Sequence, residues 1–208
     1  AACMRLRAPV PGGTLADIEI MKGIHQKAFY QGLQVCARVW HCPVCAAKIS
    51  ERRRLELKEA LLAARSQGMR LHFVTLTVPH GAGDDVKELL ARLSDALKRL
   101  SQGKYSIKRC IEQDLSGEVL HGYIRALEVT HGQNGFHPHY HMILFTSPGI
   151  EPAYLEGAYL AAWQRACRLS GLPEPSERHG VTVQDGSKAA EYASKWGLED
   201  EMTKAHMK

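Results

Sequence analysis

Two histidines in the stretch FHPHYHMILF, His139 and His141, have the residue type and spacing to do chemistry. On an extended strand they share one face, while Tyr140, Met142 and Leu144 fall on the other. Two imidazoles side by side make half of a metal site. A carboxylate is available upstream: residues 124–130 read as another strand, and the intervening HGQNG contains Asn134-Gly135, a dipeptide suited to positive φ in a hairpin turn. Folding on that turn brings Glu128 beside the two histidines, with the register left open because the loop has room for a bulge. Two imidazoles and a carboxylate suit Mg2+ or Mn2+ with positions open for oxygen ligands, an ion able to polarise a phosphodiester. His131 and His137 read as surface residues.

A second constellation is Cys36-x5-Cys42-Pro-Val-Cys45, which holds three of the six cysteines. Two thiolates at Cys-x2-Cys spacing can occupy adjacent corners of a zinc tetrahedron. The fourth ligand comes from Cys3, His25 or His41. Cys3 is favoured, because a four-thiolate site closes the N-terminal segment, whereas His41 is awkwardly adjacent to Cys42. Near the other end, Lys188, Glu191, Tyr192 and Lys195 fall on one face of a helix, with the Tyr192 phenol between two ammonium groups. Those cations favour phenolate and can hold a phosphate for attack, although a tyrosine on an amphipathic helix is more often a core-edge residue.

The elements that must position these residues follow from periodicity. Residues 1–45 contain short alternating pieces, 15–21 and 28–37, too small to bury much, so zinc supplies the missing stability. A helix begins at Pro43 and stops at Gly68, with Arg52 and Arg53 on an outward, basic side available to phosphates. Residues 69–78 form a strand. Asp84 is placed to cap a helix whose stripe is Val86, Leu89, Leu90, Leu93, Leu97 and Leu100. Residues 102–117 look irregular and basic. After the hairpin, Pro152 starts a helix that ends at Gly171, residues 180–184 form a short strand, and KAAEYASKW forms a last helix.

The order from residue 69 is β, α, β, β, α, β, α, which predicts an α+β, ferredoxin-like (split βαβ) antiparallel sheet with helices on one face. The helices should cover Val74, Leu76, Val78, Leu127, Val129, Met142 and Leu144. The opposite face is left open for Thr75, Thr77, Glu128, His139 and His141. Two segments are expected: residues 1–68, a zinc-binding segment with its basic helix, and residues 69–208, carrying the histidines and Tyr192.

The chain of 208 residues carries a net charge of +5. Lys48, Arg52, Arg53, Arg54 and Lys58 crowd together, as do Lys98, Arg99, Lys104, Lys108 and Arg109, which suits either a polyanionic partner or a solvated helix face. There is no apolar run of membrane-spanning length and no secretory h-region, so no membrane association is expected and the cytoplasm is the default. The final MTKAHMK reads as an interrupted helix.

In order, FVTLTVPH, GQNGFHPHYHMILF and AAEYASKW resemble the three motifs of the HUH endonucleases, and GLQVCARVWHCPVCAAKI is similar to the cysteine segment of rolling-circle plasmid replication initiators. The resemblance runs from about Cys36 to Lys195; FHPHYH and the cysteine segment are its specific parts. It implies an enzyme that nicks single-stranded DNA at an origin hairpin, with a tyrosine retaining the 5′-phosphate and a free 3′-hydroxyl priming synthesis, and a host helicase as partner. Tyr192 would then be the nucleophile, His139 and His141 the metal pair, Glu128 the third ligand, and Lys195 a contact to the scissile phosphate; Lys188, on the same helix face, is the other cation available to the DNA. In such initiators a glutamate commonly a helical turn before the tyrosine activates water at termination. Lys188 stands there in this chain, and Glu191 is the carboxylate at hand. A transposase or relaxase would use the same metal pair and tyrosine, but the cysteine segment resembles the plasmid initiators. A non-catalytic nucleic-acid-binding sheet would expose aromatics where this one has His, Glu and Thr.

Overall fold

The protein is described by a computed structural model over residues 3–23, 28–38 and 41–186. It divides into two compact units, one ending at Leu57 and the other starting at Lys58. In the first, β1 (Glu19–Lys22) pairs antiparallel with β2 (Ala28–Gln31). Helix α1 (Pro43–Ser66) begins in this unit and ends in the second. The buried cluster of the first unit is small: Cys3, Cys42 and Cys45, with Met4 and Ile49 packed on them. No helix among the described residues is long and apolar enough to cross a membrane.

The second unit is an α+β arrangement of β3 (Arg70–Leu76), α2 (Val86–Ser101), α3 (Ile107–Asp114), β4 (Leu120–Gly132), β5 (Gly135–Thr146), α4 (Pro152–Leu169) and β6 (Val181–Asp185). The four strands lie in the order β4-β5-β3-β6, every neighbouring pair antiparallel. Side-chain alternation puts Val74, Leu76, Tyr140, Met142 and Leu144 on one face, where they form a single core with Leu89, Leu93 and Leu97 of α2 and Leu155, Tyr159 and Trp163 of α4. Each such aliphatic side chain contributes about 1.5–3 kcal/mol on burial. The Trp163 indole also donates to the Thr77 carbonyl at 2.8 Å, so the largest core residue leaves no buried donor unpaired.

The structure corrects several sequence-based expectations. Leu127 and Val129 lie on the helix side by register but are 44% and 41% exposed, because the distal part of β4 lies at the sheet edge, where its helix-side residues are not covered. The opposite face is not uniformly open: Leu71 and Ile143 are buried there, while Thr75, Glu128, His139 and His141 gather toward one end. Asp85, not Asp84, caps α2, accepting from the Glu88 amide at 2.8 Å, while Asp84 accepts from the Gly81 amide. The stretch expected to be irregular contains α3. In the hairpin, Gln133 and Asn134 form the turn, and Gly135 is the residue with left-handed backbone (φ +84°). The Thr77 hydroxyl donates to the His179 carbonyl rather than joining the polar cluster.

His72 is a fully buried titratable group of the second unit. Thr146 Oγ1 donates to the Arg70 carbonyl at 3.3 Å and so accepts from His72 Nε2 at 3.1 Å, leaving His72 Nδ1 buried with no partner among the described residues. Burial, with the Arg70 guanidinium nearby, lowers its pKa from 6.5 to about 4. A depressed folded-state value means that the unfolded chain takes up this proton first, so stability is lost as pH falls from 6.5 to about 4. The full loss is about 3 kcal/mol. Urea denaturation at pH 7.5 and pH 4, compared with His72→Leu, should show this pH-dependent difference shrinking by that amount in the variant; an equal acid loss in both proteins would contradict it.

Candidate functional site

Register in the β4–β5 ladder pairs Glu128 with His139 and Ala126 with His141, and the β3–β5 ladder pairs Thr75 with His141. Glu128, His139, His141 and Thr75 therefore share one face. Glu128 Oε2 lies 2.8 Å from His139 Nε2 and 3.1 Å from His141 Nε2, and the two Nε2 atoms are 3.1 Å apart. All three groups are largely buried.

The protons of this cluster decide what it can do. His139 Nδ1 lies 3.2 Å from the His137 carbonyl, which can only accept, so Nδ1 is the donor. His141 Nδ1 lies 3.1 Å from the Thr75 hydroxyl, a hydrogen bond that orients the second ring. Both Nε2 atoms then face one carboxylate oxygen. Burial and the neighbouring His139 lower the His141 pKa, favouring its neutral form, although Glu128 opposes the shift. Two imidazole nitrogens and a carboxylate oxygen converging on one point could hold a metal ion, and outer hydrogen bonds on the far ring nitrogens are the usual support of metal-ligating histidines. Ligand atoms on adjacent corners of an octahedron with bonds of about 2.1 Å are about 3.0 Å apart, close to the separations here.

A rim of aromatic groups surrounds the cluster. His137 stacks on His80, with ring centroids 4.4 Å apart, and lies 4.8 Å from His139; Phe73 stacks on His141 at 5.3 Å. His80 reaches this position because the hairpin turn rests on the loop after β3. A Cβ at Gly135 would come within 2.9 Å of Ala82 Cα, so glycine is required for this close approach as well as for its φ. Sequence reasoning placed Thr75 on the correct face without assigning it a role and read His137 as surface; its alternation with His139 was the available signal.

In the first unit the structure brings Cys3, Cys36, Cys42 and Cys45 together, with all four sulfurs within 4.8 Å of one another. Cys3 and Cys36 lie 3.2 and 3.6 Å from Cys45, and all six cysteines of the chain are free thiols. A hydrogen bond from the Cys45 backbone lowers Cys42 to about 7. Cys3 accepts from the Cys36 amide, which lowers its pKa, but the Cys45 thiol and burial outweigh this and push it up to about 12. Met4 and Ala37, each following a cysteine of the cluster, adopt left-handed backbone at φ +57° and +51°. That conformation costs non-glycine residues about 1–2 kcal/mol each and persists only where the surroundings hold it. A tetrahedral Zn–thiolate site has sulfurs roughly 3.8 Å apart, so the donor set fits zinc. His41 is exposed and outside the cluster, and His25 lies outside the described residues.

Arg52 and Arg53 are exposed on α1, Arg52 facing Glu56 at 3.5 Å. Lys188, Glu191, Tyr192 and Lys195 lie outside the described residues.

Comparison with known proteins adds an independent observation. A family described as "Replication protein" matches residues 27–174, a span that includes three of the four clustered cysteines and the whole hairpin and ends before Tyr192. A "Protein rep" of Streptomyces lividans is 30% identical over 213 residues, covering 79% of this chain and 46% of the relative. A "Neomycin resistance protein" of Streptomyces cyanogenus is 32% identical over 140 residues, covering 58% of this chain and 32% of the relative. A "Protein rep" of Lentilactobacillus hilgardii is 30% identical over 139 residues, covering 64% and 41%. The chain spans less than half the length of these relatives. No solved structure matches significantly.

Proposed function

This chain belongs to the family of replication proteins, and we propose that it initiates rolling-circle replication of a plasmid by nicking single-stranded DNA at an origin hairpin through a 5′-phosphotyrosine. The observation that carries this reading is the convergence of two imidazole Nε2 atoms and a carboxylate oxygen on one point of the sheet. Glu128, His139 and His141 hold Mn2+ or Mg2+, and the separations near 3 Å support a six-coordinate ion. When bound, such an ion polarises the scissile phosphodiester. The His137 carbonyl and the Thr75 hydroxyl keep the imidazoles aimed. The strand order β4-β5-β3-β6 and a βαββαβ succession with α3 inserted before β4 support a ferredoxin-like, HUH-type fold for the second unit. Cys3, Cys36, Cys42 and Cys45 bind structural Zn2+.

Tyr192 is the nucleophile of this scheme. Its phenolate oxygen forms a bond to phosphorus, the bond to the 3′-oxygen breaks, and that oxygen takes a proton to leave a 3′-hydroxyl that primes synthesis. Lys195 and Lys188 hold the phosphate, Glu191 is the carboxylate available to activate water at termination, and Arg52 and Arg53 contact the DNA backbone. A host helicase opens the duplex ahead of the new strand.

The test is formation of a denaturation-resistant adduct between the full chain and single-stranded oligonucleotides of its own replicon in Mn2+. The adduct is expected with the native protein and should be absent with Tyr192→Phe. An adduct that persists in Tyr192→Phe, or none with any such oligonucleotide, would refute the scheme.

A further inference from the structure

On the helix side of the second unit, away from the histidine cluster, the end of α2, the following loop and α4 enclose a cleft of about 190 Å3 lined by Arg99, Gly103, Lys104, Tyr105, Ala162 and Arg165. Gly103 at φ +83° turns the chain after α2 so that Lys104 and Tyr105 come back over α4. The Arg165 guanidinium lies 3.6 Å from the Tyr105 ring centroid, and Lys104 Nζ lies 5.5 Å from it. Tyr105 is nevertheless 55% exposed. Arg99 is held by Asp95 at 2.8 Å, whereas Lys104 and Arg165 have no carboxylate partner among the described residues.

An exposed phenol backed by a guanidinium, beside a lysine with no carboxylate partner among the described residues, is more than core packing needs. The cleft is smaller than the 300–1,000 Å3 or so of a pocket that encloses a small molecule, so it suits one residue of a longer polymer. A stacking ring can receive only an unpaired base, and the two cations match the flanking phosphates. We propose that this cleft is a second contact for single-stranded DNA, in which one unpaired base stacks on Tyr105 and the adjoining phosphates lie on Lys104 and Arg165. The contact rests on the DNA-binding reading above but uses none of its metal or tyrosine residues.

The experiment is fluorescence anisotropy of a labelled oligothymidine longer than about 16 nucleotides, the upper end of common single-strand site sizes, and of a duplex of equal length. Tyr105→Ala should weaken single-strand binding roughly tenfold while Tyr105→Phe retains it. Lys104→Ala with Arg165→Ala should reduce the slope of log affinity against log salt by about 1.4, two phosphates' worth. Because Arg165 is half-buried, Lys104→Ala alone provides a second measure, with an expected drop of about 0.7. Native protein that binds the oligonucleotide with variants that leave affinity and slope unchanged would overturn the cleft alone. Loss of duplex binding without loss of single-strand binding would also overturn it. Native protein that binds no single strand would overturn both the cleft and the proposed function.

Discussion

Replacing His139 and His141 together with alanine is expected to lower Mn2+-dependent cleavage of single-stranded DNA by at least about 10³-fold, comparable to losing a principal source of charge stabilisation in a transition state. Most of the DNA affinity should survive, because binding resides mainly in phosphate contacts made elsewhere. The effect is large because the site is small and its three donors are not redundant. Glu128 alone offers one carboxylate, and the imidazoles supply the two nitrogen donors that complete the set. The check is single-turnover cleavage paired with an anisotropy measurement on the same preparations. Cleavage within a few fold of native, or full native activity in excess chelator, would contradict the assignment.

The second large effect belongs to the thiolate cluster. In the first unit Leu6, Leu15, Ile20, Phe29 and Tyr30 are exposed, and the buried cluster consists of Cys3, Cys42 and Cys45. Among the described residues of this unit the buried cluster is too small to offset the conformational entropy of ordering the segment, and in the proposed scheme the zinc ion supplies the difference. Structural zinc sites of this kind contribute about 10–16 kcal/mol of apparent binding energy at neutral pH. Cys42→Ser with Cys45→Ser should therefore release one zinc per chain and expose residues up to Leu57 to protease and to rapid amide exchange, while β3 to β6 remain protected by their own core. Elemental analysis with hydrogen-exchange mass spectrometry reads both. Native protein that purifies without zinc yet protects this segment would contradict the cluster's role.

Much of the second unit was legible in the sequence because its hydrophobic pattern is simple. Alternation in FVTLTV and HPHYHMILF marks two-faced strands, and the stripe Leu89, Leu93, Leu97 marks a helix with one buried side. The grouping of Glu128 with His139 and His141 followed from strand parity, which survives small errors in register as long as the slip is even. Helix α3 escaped notice because only Ile107 and Ile111 of its eight residues are buried apolar groups, too few to reveal a period among charged neighbours. The exposure of Leu127 and Val129 could not be foreseen, since alternation identifies a face but not how far the covering helices extend along it. Thr75 and the His137 carbonyl as orienting groups depend on cross-strand register and backbone direction, neither of which a single strand's pattern contains. The stacking of His80 on His137 depends on the hairpin resting on a loop about fifty residues earlier in the chain, a long-range approach that only Gly135 hints at.

The central claim is that Glu128, His139 and His141 form a divalent-ion site, and titration of zinc-loaded protein with Mn2+ followed by electron paramagnetic resonance tests it most directly. One Mn2+ per chain should bind to the native protein with hyperfine broadening from nitrogen ligands, and that binding should be lost in the His139→Ala, His141→Ala double variant. Equal Mn2+ binding by both proteins, without a nitrogen signature in either, would contradict the account.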